Sequence, residues 1–283
     1  MTPRFSISQI TTLPSSFEDD LRVYREAGAE GIGIWEIKLE AGREEELLAA
    51  LRTSGLESTN AIPAVPSIAP IPIPGPEDPA ERVEAYCAGL RRLVPFAPSA
   101  VVVLTGAGER RAIVQGLRRI AAEARALGLR IGLEPYSRHG GADWTIVNTI
   151  PEAVDLIEEA GVAEDVGILF DVWHLWDSER LDEHIQAEIG RIAGVHVSDV
   201  REATRSFADR VLPGDGVADL PGILAALDRA GWDGFYDLEI FSDNGAFGNA
   251  HPDSLWDVPP LDLARRGRAA FLDCWEARAA AAS

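Results

Sequence analysis

The feature that most constrains the fold of this chain is an alternation of short β-rich runs with amphipathic helical stretches, repeated eight times. Such alternation is typical of βαβ units, which build a parallel sheet. Strands are predicted at residues 5–12, 31–39, 57–64, 100–106, 130–136, 166–174, 192–200 and 235–241. Helices are predicted at residues 17–27, 44–53, 79–93, 110–127, 151–160, 181–189, 220–230 and 261–280.

Eight such units predict a single (β/α)₈ TIM barrel that occupies residues 1–283 as one domain. No linker or charge run divides the chain, and its length suits one barrel. A doubly wound open sheet is the alternative, but the turn after the first strand reads TTLPSSF and lacks the glycine-rich phosphate loop of that fold.

Two long connections leave the carboxyl ends of predicted strands, at residues 63–79 and 242–260. The first is rich in proline and should be stiff and extended, whereas the second carries Phe247, His251 and Trp256. Both should border the face where barrel enzymes hold their active sites. Contact with a second subunit is an equally open use of either loop.

Composition excludes some classes of function. The net charge of −20 opposes binding to a phosphate backbone, so nucleic acid is not expected as substrate or partner. No apolar run is long enough to cross a membrane, and the start of the chain does not resemble a signal peptide, so a cytoplasmic location is expected. Cys87 and Cys274 are far apart and are expected to be reduced.

Polar side chains interrupt four consecutive apolar strands near their carboxyl ends. They are Glu134 in IGLEPY, Asp171 in ILFDVWH, His196 in GVHVSD and Glu239 in YDLEIF. Neighbouring strands are only about 4.8 Å apart, so these tips should converge. Two of the three carboxylates at about 4 Å would repel by about 4 kcal/mol at an effective dielectric of 20. Protons or a cation must neutralise them, and one divalent ion satisfies this need. Oxygen-rich ligation without thiolate favours Mn²⁺ over structural zinc, and Mg²⁺ and Co²⁺ are the alternatives to Mn²⁺.

The motifs GLEPY, FDVWH, GVHVSDVR followed by LPGDGVADL, and YDLEIF resemble those of the xylose isomerase-like barrels grouped as sugar phosphate isomerases and epimerases. The resemblance covers essentially the whole chain. It implies that Glu134, Asp171, His196 and Glu239 are the metal ligands. It also implies that His174 contacts substrate, and that Glu134 and Glu239 act as the acid/base pair.

Other residues become candidates for substrate binding. In the epimerase branch an arginine follows the metal histidine by six residues, but that position here is Glu202. The inosose dehydratase branch is closer here, which makes Asp199 and Arg201 candidates.

Four further candidates come from position and residue type. Lys38 shares the strand parity of Glu36 and could reach the same face, a surface salt bridge being the alternative. Trp173 suits the apolar side of a sugar ring, although core packing is the alternative. His139 and His251 lie in the loops that border the predicted active site.

The resemblance implies a small-molecule sugar or keto-sugar substrate and a reaction that begins with removal of a proton beside a carbonyl polarised by the ion. A metal-dependent sugar isomerase or epimerase is the first interpretation. A lyase acting on keto-sugars, similar to inosose dehydratase or to the catalytic subunit of a C-glycoside deglycosidase, is the alternative. A non-catalytic sugar-binding protein is a third interpretation. Endonuclease IV shares the barrel, but its DNA-repair chemistry is disfavoured by the net charge and by the absence of histidines before His139. A homo-oligomer or a small accessory subunit stays open.

Overall fold

The computed structural model describes residues 2–137 and 143–281, and within them eight parallel strands close into a barrel. The barrel order is β1-β10-β7-β6-β5-β4-β3-β2, and β1 pairs with β10 to close it. The barrel strands are β1 (Arg4–Ser8), β2 (Gly31–Trp35), β3 (Glu57–Ile62), β4 (Ala100–Val103), β5 (Ile131–Leu133), β6 (Val166–Asp171), β7 (Ile192–Val197) and β10 (Phe235–Leu238). The predicted TIM barrel is therefore confirmed.

Helices cover the outside of the barrel and bury their apolar faces against it. They are α1 (Phe17–Ala27), α2 (Glu44–Ser54), α3 (Pro79–Leu93), α4 (Arg110–Leu127), α5 (Ile150–Ala160), α6 (Val172–Leu175), α7 (Leu181–Glu188), α8 (Leu220–Ala230) and α9 (Pro260–Ala281). None of these helices is long and apolar enough to cross a membrane. The eight predicted helices agree with the structure to within one residue at each end. Ser16, Asp78 and Thr149 cap the starts of α1, α3 and α5.

The strands are shorter than the sequence suggests, and in the first two a 3₁₀ turn takes the residues that follow the last paired ones. β1 ends at Ser8, and a 3₁₀ turn takes Gln9–Thr12. β2 ends at Trp35, and a second 3₁₀ turn takes Glu36–Lys38. The prediction that strand alternation continues through Lys38 was therefore wrong, since a 3₁₀ turn does not keep a period of two.

The predicted seventh strand divides into two. β7 stops at Val197, and β8 (Asp199–Val200) then pairs antiparallel with β9 (Arg210–Val211). This hairpin lies outside the barrel sheet. It encloses the segment 201–209 and returns the chain toward the carboxyl end of β10, where the Arg210 amide donates to the Phe241 carbonyl at 2.9 Å.

The proline-rich loop after β3 is held by backbone pairing. Ser67 forms a parallel bridge with Leu104, and the Ala69 amide donates to the Thr105 carbonyl at 2.9 Å. Thus residues 66–69 extend the sheet beside the end of β4 before the prolines continue. The second long loop follows β10 and is ordered by Asp243, whose carboxylate accepts from the amides of Gly245, Phe247 and Asn249.

Candidate functional site

Four side chains from neighbouring strands meet at the carboxyl end of the barrel. Glu134 follows β5, Asp171 ends β6, His196 lies in β7 and Glu239 follows β10. Each offers one ligand atom, and these atoms all lie within 4.8 Å of one another. All four residues are buried. The convergence expected from strand position is therefore present, and we call this set the carboxylate cluster.

Local structure fixes the orientation of Asp171. The residue caps α6, and its Oδ1 accepts a hydrogen bond from the Trp173 amide at 2.8 Å. Its Oδ2 is left to face the site, where it accepts from Arg210 at 2.8 Å and lies 3.7 Å from His174 Nε2. Asp171 and His196 are also direct register partners of β6 and β7, which places both side chains at one level of the barrel.

Electrostatics in the cluster differ from one carboxyl group to the next. Burial, and then the Asp171 carboxylate, raise the pKa of Glu134 well above its ordinary value. Burial also tends to raise the pKa of Glu239, but His196 and Arg210 outweigh it and hold that pKa low. Burial opposes protonation of His196, yet the Glu239 carboxylate raises its pKa to about 10. The cluster therefore binds positive charge, whether protons or a cation.

The donor set fits a divalent cation. Oxygen and nitrogen ligands lie about 2.0 to 2.6 Å from such ions, so ligands on opposite sides are about 4 to 5 Å apart. The cluster has this size. Neither ring nitrogen of the buried His196 forms a hydrogen bond within the described residues, although Nδ1 lies 3.2 Å from Glu239 Oε2. A buried imidazole with a nitrogen facing carboxylates is a common metal ligand.

Arg210 is the site residue that sequence reasoning missed. Its buried Nη1 lies 2.8 Å from Asp171 Oδ2 and 3.0 Å from Glu239 Oε2. Counting six residues beyond His196 pointed to Glu202, but the β8–β9 hairpin inserts residues and brings Arg210 to the cluster instead. One signal could have pointed to Arg210: it lies two residues before LPGDGVADL, one of the motifs that resemble the family.

His174 lines the cavity that opens above the carboxylate cluster. Its Nδ1 accepts from the Ser137 amide at 3.2 Å, so a neutral ring carries its proton on Nε2. Burial, together with Arg210 and His196, holds the pKa of His174 well below its ordinary value. Nε2 has no hydrogen-bond partner within the described residues. The neutral ring can therefore donate one hydrogen bond to a ligand.

Lys38 and Asp199 do not reach the cavity. The Lys38 ammonium lies 2.7 Å from Asp20 and 2.8 Å from the Thr12 carbonyl, in a buried ion pair rather than the surface pair considered as its alternative. Asp199 accepts from the amides of Val200, Gly214 and Ala218. Its carboxylate thus orders the LPGDG turn, which explains the motif without a substrate contact.

Arg201 and His251 join two loops. Arg201 pairs with Asp209 at 2.9 Å and with Asp253 at 2.9 Å, and His251 Nε2 lies 3.2 Å from Ser206 Oγ. These contacts connect segment 201–209 to the loop after β10. The structure thus brings neither side chain to the cavity lining that it describes.

Trp173 is buried and packs edge-on against His174, with ring centroids 4.9 Å apart. It therefore contacts a site residue but does not line the cavity in the part of the chain that the structure describes. His139 lies outside the described residues.

A cavity of about 300 Å³ opens above the carboxylate cluster. Glu134, His174, His196, Arg210 and Glu239 form its charged end. Six aromatic side chains also line it, and we call them the aromatic wall: Trp35, Tyr136, Trp144, Phe207, Phe241 and Phe247. Both long loops contribute, the first through Pro63, Pro66 and Pro74 and the second through Phe247.

Comparison with known families gives a match over most of the chain. The model of the xylose isomerase-like TIM barrel matches residues 21–274.

Curated relatives align over about half of this chain. An inosose dehydratase from Geobacillus thermodenitrificans is 33% identical over 146 residues, 46% of this chain and 47% of that protein. An inosose isomerase from Halalkalibacterium halodurans is 26% identical over 47% of this chain and 46% of its own length. A 3-dehydroshikimate dehydratase from Pseudomonas aeruginosa is 33% identical over 48% of this chain and 22% of its own length. The chain therefore spans half or less of the length of these relatives.

Solved structures match the fold over nearly the whole chain. A Sinorhizobium meliloti protein has a TM-score of 0.83 at 24% identity, covering 96% of this chain and 98% of its own. The IolI protein with a bound zinc atom has a TM-score of 0.77 at 19% identity over 96% and 97%. An Escherichia coli 3-keto-D-glucoside 4-epimerase has a TM-score of 0.74 at 20% identity over 96% and 100%.

Proposed function

Because the chain belongs to the xylose isomerase-like TIM barrel family, we propose that it is a divalent-metal-dependent isomerase or epimerase of a sugar or keto-sugar. The observation that carries the proposal is the carboxylate cluster, whose ligand atoms lie within 4.8 Å of one another at the base of a cavity. The relatives with zinc, with inosose substrates and with epimerase activity supply the chemical context.

Glu134, Asp171, His196 and Glu239 would hold the ion, with Mn²⁺ as the expected metal. When bound, the ion would act as a Lewis acid that polarises a carbonyl or hydroxyl oxygen and makes the adjacent carbon-bound proton more acidic. The IolI protein, whose fold is similar, contains a bound zinc atom, so zinc would be included among the ions tested.

The chain's own groups perform the proton chemistry. Glu134 and Glu239 approach the cavity from β5 and β10, two strands that are separated in the barrel by β6 and β7. They can therefore reach a bound carbon from different sides, one removing a proton while the other returns it. Isomerisation and epimerisation both need such a pair.

His174 and Arg210 would position the substrate. The Nε2–H of neutral His174 has no hydrogen-bond partner among the described residues and can donate to a substrate oxygen. Arg210 offers a fixed cation beside Asp171 and Glu239 and can stabilise negative charge as it develops on that oxygen. Both side chains are buried, which strengthens these interactions.

Elimination from a keto-sugar is the second candidate, because two of the three curated relatives described above are dehydratases. It begins with the same proton removal, but the leaving group then departs from the neighbouring carbon with its bonding electrons and a carbon–carbon double bond forms. The proton goes to the leaving group and is not returned to carbon. The same residues serve either outcome.

One experiment separates these reactions. The Mn²⁺-loaded protein would be incubated with ketoses, inososes and 3-keto-glycosides in deuterated water, and products would be analysed by mass spectrometry. We expect deuterium in an isomeric product, and none after chelation or in Asp171→Asn. Loss of water or of an aglycone would assign the protein to the lyases. Neither exchange nor turnover over the whole metal-loaded panel would contradict an enzymatic role and favour a sugar-binding protein.

A further inference from the structure

The cavity above the carboxylate cluster is chemically two-sided. Among the described residues that line it, the charged and imidazole side chains are Glu134, His174, His196, Arg210 and Glu239. The remaining described lining consists of aliphatic side chains, prolines and the aromatic wall, with the Tyr136 hydroxyl and indole nitrogens as polar exceptions. Hydroxyl groups of a ligand that face the aromatic wall would therefore find few partners among the described residues.

The aromatic wall is continuous rather than a set of scattered rings. Tyr136 stacks on Trp144 with centroids 5.2 Å apart and planes at 5°. Trp144 contacts Phe207 at 5.1 Å, and Phe207 contacts Phe247 at 5.5 Å. Trp35 and Phe241 complete it at 5.6 Å. Such spacings match those preferred by aromatic pairs, so another ring could join the series at its cavity side.

The polar edge of Trp35 is already satisfied, because its Nε1 donates to Ser8 Oγ at 2.8 Å. At the mouth, Ile37 lines the cavity although it is 54% exposed, one of two large hydrophobic side chains so exposed among the described residues.

The loops that carry the wall are fixed in place. Arg201 and Arg205 both pair with Asp253, at 2.9 Å each, and His251 contacts Ser206. Phe207 follows Ser206 directly, and the Phe247 amide donates to Asp243 at 2.9 Å. The apolar lining is therefore built before a ligand arrives.

We propose that the substrate carries an aromatic or other flat apolar group joined to the oxygen-bearing part that reaches the carboxylate cluster, as in a keto-sugar with an aromatic substituent. This rests on the proposed function for the identity of the oxygen-bearing part. The apolar part rests on the aromatic wall alone. A cavity of about 300 Å³ is near the lower bound for small-molecule sites, which suits a sugar ring with a small aromatic group.

The test compares two probes that differ only in this group, methyl 3-keto-β-D-glucopyranoside and phenyl 3-keto-β-D-glucopyranoside. Their dissociation constants would be measured by calorimetry on the full chain, with Mn²⁺ and again with EDTA. We expect the phenyl probe to bind about 10-fold tighter or more under both conditions, since burying a ring of this size is worth at least that factor. Equal affinities would overturn the proposal.

Phe207→Ala and Phe247→Ala test the location of the preference. Both side chains are half-buried and lie on loops, so folding should survive, as circular dichroism would verify. Each should reduce the ratio of phenyl-probe affinity to methyl-probe affinity several-fold. The control is Val217→Ala, which removes an exposed apolar side chain away from the described lining. An unchanged ratio in both phenylalanine variants would contradict the assignment.

The results distinguish a failure of the proposed substrate class from a failure of the proposed function. A phenyl preference that persists without any deuterium exchange would contradict the proposed function and support the substrate class. Exchange on the methyl probe without a phenyl preference would do the reverse.

Discussion

Asp171 and His174 are three residues apart, yet the structure gives them different partners. Asp171 belongs to the carboxylate cluster, whereas the His174 ring is fixed by the Ser137 amide and keeps Nε2 for a ligand. We therefore expect Asp171 to serve metal binding and His174 to contact substrate.

His174→Ala should keep stoichiometric metal and lose about 10²-fold or more in kcat/KM, the scale for a positioned proton-transfer or hydrogen-bonding group. Asp171→Asn should lose the metal, because a neutral amide replaces a charged ligand. Metal content by mass spectrometry and kinetics on the same samples check both. Loss of metal from His174→Ala would make His174 a ligand instead.

Arg210 should stabilise the metal-free protein more than the loaded one. Its guanidinium compensates Asp171 and Glu239, and removing one partner of a buried ion pair costs about 3 to 5 kcal/mol. In Arg210→Met, the melting temperature should fall strongly with EDTA and much less with Mn²⁺, since the ion replaces the lost charge.

Scanning fluorimetry under both conditions provides the measurement. Arg119→Met is the control, because Arg119 forms a more exposed ion pair on α4. Equal decreases with EDTA and Mn²⁺ would show that Arg210 does not share the task of neutralising the cluster.

At the scale of elements, the proline-rich loop depends on one close approach to the end of β4. Gly106 has φ +69°, and a Cβ there would lie 2.2 Å from the Ala69 carbonyl oxygen. Gly128 has the same φ, but a Cβ there would meet nothing within 4 Å. The two glycines thus separate backbone strain from steric conflict with the loop.

Gly106→Ala should destabilise the protein more than Gly128→Ala, which carries only the strain of a left-handed alanine, about 1 kcal/mol. The additional loss measures displacement of residues 66–69 from β4. Chemical denaturation gives both free energies of unfolding, and amide exchange should increase at Ala69 in the first variant only. Equal losses would mean that the loop adapts without cost.

The ion pairs that join the two aromatic-bearing loops should serve binding rather than stability. Asp253 is half exposed and contacts Arg201 and Arg205, and exposed pairs contribute about 0 to 1 kcal/mol. Asp253→Ala should therefore leave the melting temperature nearly unchanged, accelerate amide exchange in residues 201–209 and raise KM. Asp182→Ala, which removes an exposed ion pair with Arg229, is the control. It should change neither amide exchange in residues 201–209 nor KM. An unaltered KM would show that the loops keep their place without Asp253.

At the scale of the whole molecule, barrel closure makes each strand depend on both of its neighbours, since β1 completes the ring through β10. We expect the chain to behave as a single domain with one cooperative unfolding transition. Mn²⁺ should shift that transition upward, by about 2.7 kcal/mol at 100 times its dissociation constant, and should not shift it in Asp171→Asn. Two separate calorimetric transitions would contradict the single-domain prediction.

The sequence by itself determined the barrel and the four converging side chains. The periodicity of apolar residues, the glycines between helices and strands, and the capping residues are local signals, so they can be read from the sequence. The apolar strands that end near Glu134, Asp171, His196 and Glu239 mark one end of a parallel barrel. Only the tertiary structure decided the rest of the site.

Arg210 reaches the cluster through a hairpin whose length shifts any count from His196, and Lys38 is turned into a buried pair by a 3₁₀ turn. The aromatic wall combines residues from segments far apart in the chain, including Trp35, Phe207 and Phe247. Such contacts depend on long-range packing and not on spacing along the sequence. The sequence therefore indicates where the candidate site lies, whereas the tertiary structure determines which other residues surround it.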